Sequence, residues 1–226
     1  MAPAKLRPTS RLEPFGLAEI EISADLHHIE VFTMRGILGV MWHGPFDAER
    51  IVVACPGAMG GLLGPGRGMF HQLGVRLCEY GIGTVRVDYR RPNDLESCVL
   101  DTVAAIDFAA QRNASRVITI GHSFGGAVAV NVGAILTQAV VGVCTLSTQS
   151  AGCEVASRLA PRPLLLIHGQ DDEILPPFAS EAVNQLAGGI GTVEIIPGEG
   201  HGLADDSGAI LERTSAWVLE TFGSQP

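Results

Sequence analysis

Apolar residues arrive along this chain in two rhythms. Residues 17–22 alternate apolar and polar side chains, and residues 28–42 form a second strand-like stretch with a turn near Arg35-Gly36; the two predict an antiparallel edge hairpin. Residues 51–55, 117–120, 140–146 and 163–169 are almost uninterrupted apolar runs, the pattern of strands buried on both faces. Residues 84–89 and 192–196 add two more strands. Between these runs the spacing becomes helical. Phe70, Leu73 and Leu77 share one stripe of a helix over residues 69–80, stopped by Gly81. Leu95, Val99, Val103, Ile106 and Ala110 do the same behind Asp94, a suitable N-cap. Residues 127–136, 177–186 and 210–222 complete the helices. Strands alternating with helices at this rhythm predict an α/β fold: a mostly parallel sheet of about eight strands with helices on both faces.

Residues 1–18 read as an N-terminal arm broken by Pro3, Pro8 and Pro14, and residues 19–226 as a single domain. The arm lacks the apolar stretch of a secretory signal, and five cysteines without Cys-x-x-Cys spacing read as buried thiols; both point to the cytoplasm. A net charge of −9 with no cluster of Lys and Arg argues against a nucleic-acid partner. Residues 117–153 contain no Asp, Glu, Lys or Arg, which a hydropathy window flags as a membrane span. Glycines and polar residues interrupt the run, and its pattern changes from strand to helix and back, so it predicts soluble core.

Ligands of open parallel sheets bind beyond the carboxyl ends of the strands. The residues left there here are a glycine-rich loop at Gly57-Ala58-Met59, then Ser123, then Asp171 and Asp172, then His201 between Gly200 and Gly202. Ser123 stands between a β-branched strand and a small-residue helix in Gly121-His122-Ser123-Phe124-Gly125-Gly126. In a chain with 28 glycines the Gly-x-Ser-x-Gly string alone is weak; the strand before it and the helix after it give it weight as a nucleophile elbow. A serine hydroxyl is a poor nucleophile near neutral pH, so acyl transfer requires a base in contact with it and a carboxylate to orient that base.

The order Ser123, Asp172, His201, together with Gly-His-Ser-Phe-Gly-Gly, His-Gly-Gln-Asp-Asp-Glu-Ile-Leu-Pro and Gly-Glu-Gly-His-Gly, resembles the α/β-hydrolase fold superfamily from about residue 19 to the end. The resemblance implies that Ser123 is the nucleophile, His201 the general base and then acid, and Asp172 the orienting carboxylate. Asp172 is preferred to Asp171 because the family pattern sets its acid three residues after Gly169 and four before Pro176; Asp171 is then a turn residue. The oxyanion hole it implies is the backbone N–H of Phe124 with that of Ala58, Met59 being the other choice for the second donor. Two departures stand out: Pro56-Gly57 replaces the His-Gly of many relatives, and Arg91 follows Asp88-Tyr89-Arg90 where they carry glycine.

The remaining polar residues receive plainer readings. His122 and His168 are taken as packing or turn residues, and Arg67 and Arg90 as solvated loop charge rather than partners of a substrate carboxylate. His27, His28, His43 and His71 lack ligand spacing, so neither metal nor other cofactor is expected. Only one short helix fits between Ser147 and Pro163, where many relatives insert a helical cap; the chain therefore resembles the uncapped dienelactone-hydrolase and small-carboxylesterase type, although dienelactone hydrolases have cysteine where Ser123 stands. Residues 60–68 are expected at the rim of the site. The expected activity is hydrolysis of a small-molecule carboxylic ester or thioester through an acyl-enzyme. A peptidase or amidase, or a perhydrolase, would use the same three residues, and a non-catalytic ligand-binding homologue is the alternative of another class.

Overall fold

The structure, a computed structural model, describes residues 8–223. The first seven residues of the expected arm lie outside them. The rest of that arm is structured: a 3-10 turn, Pro8–Leu12, buries Leu12, and the first strand already begins at Pro14. Nine strands form one sheet among the described residues: β1 (Pro14–Ser23), β2 (Leu26–Thr33), β3 (Gly36–His43), β4 (Arg50–Cys55), β5 (Gly83–Asp88), β6 (Arg116–His122), β7 (Val140–Leu146), β8 (Leu164–Gly169) and β9 (Thr192–Ile196). Their order is β1-β2-β3-β5-β4-β6-β7-β8-β9. The first three strands and the β3–β5 pair are antiparallel, and every pair from β5 to β9 is parallel. The expected hairpin is thus a three-stranded meander. Gly36, at φ 117, supplies the left-handed residue on which the chain reverses between β2 and β3.

The continuous apolar runs follow from burial on two sides. In β4, Val53 and Cys55 join the core beneath α2 (Leu95–Ala110) and α3 (Phe124–Ile135), while Val52 and Ala54 join the core beneath α1 (Pro65–Cys78) and α5 (Ser207–Gly223). Phe70, Leu73 and Leu77 of α1 are fully buried there, each worth about 1.5–3 kcal/mol of transfer free energy. The regular part of α1 begins at Met69 as expected; Gly66, Arg67 and Gly68 all have left-handed backbone angles and precede it. Asp94 caps α2 by accepting from the Ser97 N–H at 2.9 Å. The uncharged run resolves into β6, the twelve-residue α3 and β7. No helix of the described residues is long and apolar enough to cross a membrane. Between β7 and β8 stands only a 3-10 turn, Ala156–Leu159, and α4 (Phe178–Leu186) follows β8.

His43 is 2% exposed on β3, under Gly74 of α1 and 5.1 Å from the His71 ring. Burial first, and then Arg86 and His71, push its pKa down to about 4. The unfolded chain therefore takes up a proton here below its ordinary value near 6.5, whereas the folded chain refuses it until about 4. The stability attached to the neutral ring is complete above pH 6.5 and declines as the pH falls through that window. Urea unfolding followed from pH 7 to pH 4 is expected to lose on the order of 3 kcal/mol to this residue, and His43→Gln to flatten the slope.

Candidate active site

β6 ends at His122, and α3 starts at Phe124, so the chain reverses on Ser123 alone. Ser123 takes φ 56 and ψ −122, a conformation most side chains avoid, and its N–H is held by the Leu146 carbonyl at 2.9 Å. The glycines around it are there for close approach. A Cβ on Gly121 would strike the Gly125 carbonyl, one on Gly125 the carbonyls of Cys55 and Pro56, and one on Gly126 the Thr148 hydroxyl. The elbow is thereby wedged between β4, β6 and the residues after β7.

Three distant segments meet at the serine. Its Oγ lies 3.0 Å from His201 Nε2, and His201 Nδ1 lies 2.8 Å from Asp172 Oδ2. A carboxylate only accepts, so Nδ1 carries the proton and Nε2 is left to accept from the Ser123 hydroxyl. Oδ1 of Asp172 accepts the N–H groups of Ile174 (2.8 Å) and Leu175 (2.7 Å). Burial alone would push the Asp172 carboxyl up; the Leu175 amide, the His201 ring and the Ile174 amide outweigh it and hold the group below its ordinary value, ionised at neutral pH. Asp171 is exposed and gives its N–H to the Glu199 carbonyl at 2.9 Å, as a turn residue does.

The loop that carries His201 is gripped on both sides of that residue. Its N–H donates to Glu173 Oε2 at 3.2 Å, and its carbonyl lies 3.1 Å from His122 Nε2, which must therefore be protonated and donating. Burial keeps the His122 pKa down at about 4, so the second ring nitrogen stays bare. Further along, the buried Glu199 carboxylate accepts the N–H groups of Asp205 (3.3 Å) and Asp206, which ties the loop to the start of α5.

One plainer reading, that of Arg90, needs correction, and the two histidines gain partners. His122 binds the backbone of His201, and His168 lies 3.0 Å from Asp172 Oδ2, so both imidazoles touch the site. Their spacing is the signal that was available: one directly precedes the serine, the other stands four residues before the carboxylate. Arg90 is not solvated; its Nε meets Asp101 Oδ1 at 2.6 Å with both side chains almost wholly buried. Among the described residues no group of three His, Cys, Asp or Glu is placed to hold a metal ion.

A cleft of about 570 Å³ opens over the serine, lined by residues 56–64 with His122, Ser123, Ile174 and His201. Among the described residues, no Asp, Glu, Lys or Arg lines it. Ala58 and Met59 line this cleft, and Phe124 directly follows Ser123. Gly57 faces the elbow, a Cβ there being 3.7 Å from Ser123 Cβ, and the turn that follows is closed by Gly60 N–H on the Gly57 carbonyl at 2.9 Å. Phe124 is the first residue of α3, so its N–H has no partner within the helix. The Met59 side chain is 93% exposed, whereas Ala58 packs against the core beneath α2 and α3.

Comparison with known proteins bears on the fold and the family. No curated protein matches the sequence. Est1E from Butyrivibrio proteoclasticus superposes with a TM-score of 0.74 at 17% identity, over 87% of this chain and 99% of that one. A dienelactone hydrolase from Anabaena variabilis gives 0.69 at 19% identity, over 91% and 99%, and an alpha-beta serine hydrolase homologue from Coxiella burnetii 0.65 at 18%, over 85% and 95%. At these identities the likeness is one of fold. The family model described as phospholipase/carboxylesterase matches residues 96–209, just over half of the chain and a span that includes Ser123, Asp172 and His201. On that match, and with this sheet, the chain belongs to the phospholipase/carboxylesterase family of α/β-hydrolases.

Proposed function

We propose that the protein is a serine hydrolase that cleaves carboxylic esters or thioesters through an acyl-enzyme, with Ser123, His201 and Asp172 as its triad. The observation that carries this reading is the unbroken pair of contacts, 3.0 Å from Ser123 Oγ to His201 Nε2 and 2.8 Å from His201 Nδ1 to Asp172 Oδ2, at the floor of an open cleft. His201 takes the serine proton as Oγ attacks the acyl carbon. Asp172, ionised and immobilised by two backbone amides, stabilises the imidazolium that results. The imidazolium then protonates the departing alcohol or thiol, and a water activated by the same ring releases the acid.

The N–H groups of Phe124 and Ala58 are assigned to the oxyanion, each such donor being worth roughly 2.7–4 kcal/mol in the transition state. The free first N–H of α3 supports the former. The half-buried Ala58 side chain, packed against the core, supports the latter over Met59, whose exposed side chain belongs to the rim with Leu63 and Ile174. A cleft with apolar rim residues and no charged lining favours an uncharged acyl group over an anionic one.

A fluorophosphonate probe tests the reading directly. Intact mass of the folded wild type should show one adduct, mapped to Ser123, and a series of p-nitrophenyl esters should be hydrolysed. A folded protein that takes no adduct and turns over no ester would refute it.

A further inference from the structure

Asp172 has a second imidazole against it. His168, the next-to-last residue of β8, has no exposed side-chain surface, and its Nε2 is 3.0 Å from Asp172 Oδ2, the oxygen that also accepts from His201. The same nitrogen lies 3.1 Å from the Leu175 carbonyl, and Nδ1 lies 2.7 Å from Ser180 Oγ, itself fully buried on α4. Carbonyl and carboxylate oxygens accept only, so Nε2 carries the proton and Nδ1 accepts from the Ser180 hydroxyl. Burial keeps the ring neutral, pulling its pKa below the ordinary value against the opposing pull of Leu175 and Asp172.

Leu175 makes this more than core packing. Its N–H donates to Asp172 Oδ1 while its carbonyl accepts from His168, so one peptide is held on one side by the carboxylate and on the other by the imidazole. The turn that presents Asp172 is therefore fixed by a ring whose own tautomer is fixed by Ser180. We propose that His168 is a positioning residue of the hydrolytic reaction: its Nε2–H, set by Ser180, holds the Leu175 carbonyl of the turn and lies against the Asp172 carboxylate, keeping Oδ2 where it meets His201. The inference rests on the triad reading above.

Among the described residues, the groups placed on Asp172 are the amides of Ile174 and Leu175 and the rings of His201 and His168. The other titratable groups near His201 are His122 from β6 and Glu173 from the Asp172 loop. Without His168 the carboxylate has one polarised N–H fewer beside it, attracts the imidazolium of His201 more strongly, and activity is lost to protonation at a higher pH.

The test compares His168→Phe, which has no ring N–H, with His168→Gln, whose side-chain N–H reaches where Nε2 stood, and with Ser180→Ala. Wild type and Ser123→Ala run alongside on one p-nitrophenyl ester. His168→Phe is expected to lose roughly tenfold or more in kcat with KM within about twofold. The acidic limb of its kcat/KM profile should move up by roughly half a pH unit. His168→Gln should recover most of both. Ser180→Ala should lie between wild type and His168→Phe, and with His168→Gln it decides the matter if His168→Phe does not fold. A role in packing alone lowers the melting temperature and leaves the limb in place; folded His168→Phe with wild-type kcat and limb, or His168→Gln no better than His168→Phe, overturns the proposal. A wild type that neither labels nor hydrolyses removes the triad reading and this inference with it, whereas turnover dependent on Ser123 and indifferent to His168 and Ser180 removes this inference alone.

Discussion

Ser123→Ala is expected to fold normally and to lose roughly 10⁶-fold in kcat toward a p-nitrophenyl ester, the scale on which a triad nucleophile counts. The substitution removes one oxygen from a residue whose backbone angles, φ 56 and ψ −122, are imposed by the elbow, and alanine meets the same strain there as serine. The hydroxyl's loss therefore costs chemistry rather than stability. His201→Ala should fall about as far, because the serine without its base is an ordinary alcohol. Ser123 and His201 act as one unit, so the double variant should be scarcely worse than either single one; effects that multiplied would mean that the two act independently and that the 3.0 Å contact is incidental. Asp172→Asn should cost roughly 10⁴-fold, since an amide in that place offers a donor where an acceptor is needed and favours the wrong tautomer of His201. Asp171→Asn, on an exposed turn residue, should stay within about twofold. Steady-state kinetics on the five proteins decides it, and the reverse ranking of the two aspartates would move the carboxylate's role to Asp171.

What the sequence disclosed, and what it hid, follows from the reach of each interaction. The inner strands were legible because they are buried twice: adjacent residues such as Val52 and Val53 belong to opposite cores, so the whole run must be apolar. The elbow was legible because its constraints are local, a glycine two residues before Ser123 and glycines two and three residues after it. The sheet's outer edge was not. β1 starts at Pro14, inside what reads as an arm, since an edge strand tolerates proline and leaves Phe15, Leu17 and Ile20 exposed. The left-handed residues that lead into the regular part of α1 were hidden for another reason: Gly66 donates to the Gly202 carbonyl, a partner far along the chain beside His201. Composition gave no sign of that contact. The partner of His122 was hidden for the same cause, being a carbonyl 79 positions away. His168 lies close in sequence to Asp172, Leu175 and Ser180, yet only the fold of the turn shows that all three converge on its ring.

The largest effect on stability should come from one methyl group that touches no substrate. Gly125→Ala places a Cβ on the carbonyl oxygens of both Cys55 and Pro56. Neither obstacle is a flexible side-chain end: Cys55 closes β4, a central strand paired on both sides, and Pro56 opens the loop that carries Ala58. Overpacking a core ordinarily costs about 1–3 kcal/mol, and a clash with fixed backbone belongs at or above that range, so about 3–5 kcal/mol is expected. For a domain of this size that lowers the melting temperature by roughly 10 °C, against a total stability of about 5–15 kcal/mol. Gly208→Ala is the control: on α5, with nothing within 4 Å of the added atom, it should be neutral or slightly stabilising. Relief of the clash in a Gly125→Ala protein that still folds requires residues 55–58 to move away from α3, and with them the backbone N–H assigned to the oxyanion. Such a protein should bind the ester with little change in KM and hydrolyse it with a markedly lower kcat, as removal of a transition-state donor does. A fall in melting temperature with kcat intact would place the second donor elsewhere than on the loop after β4.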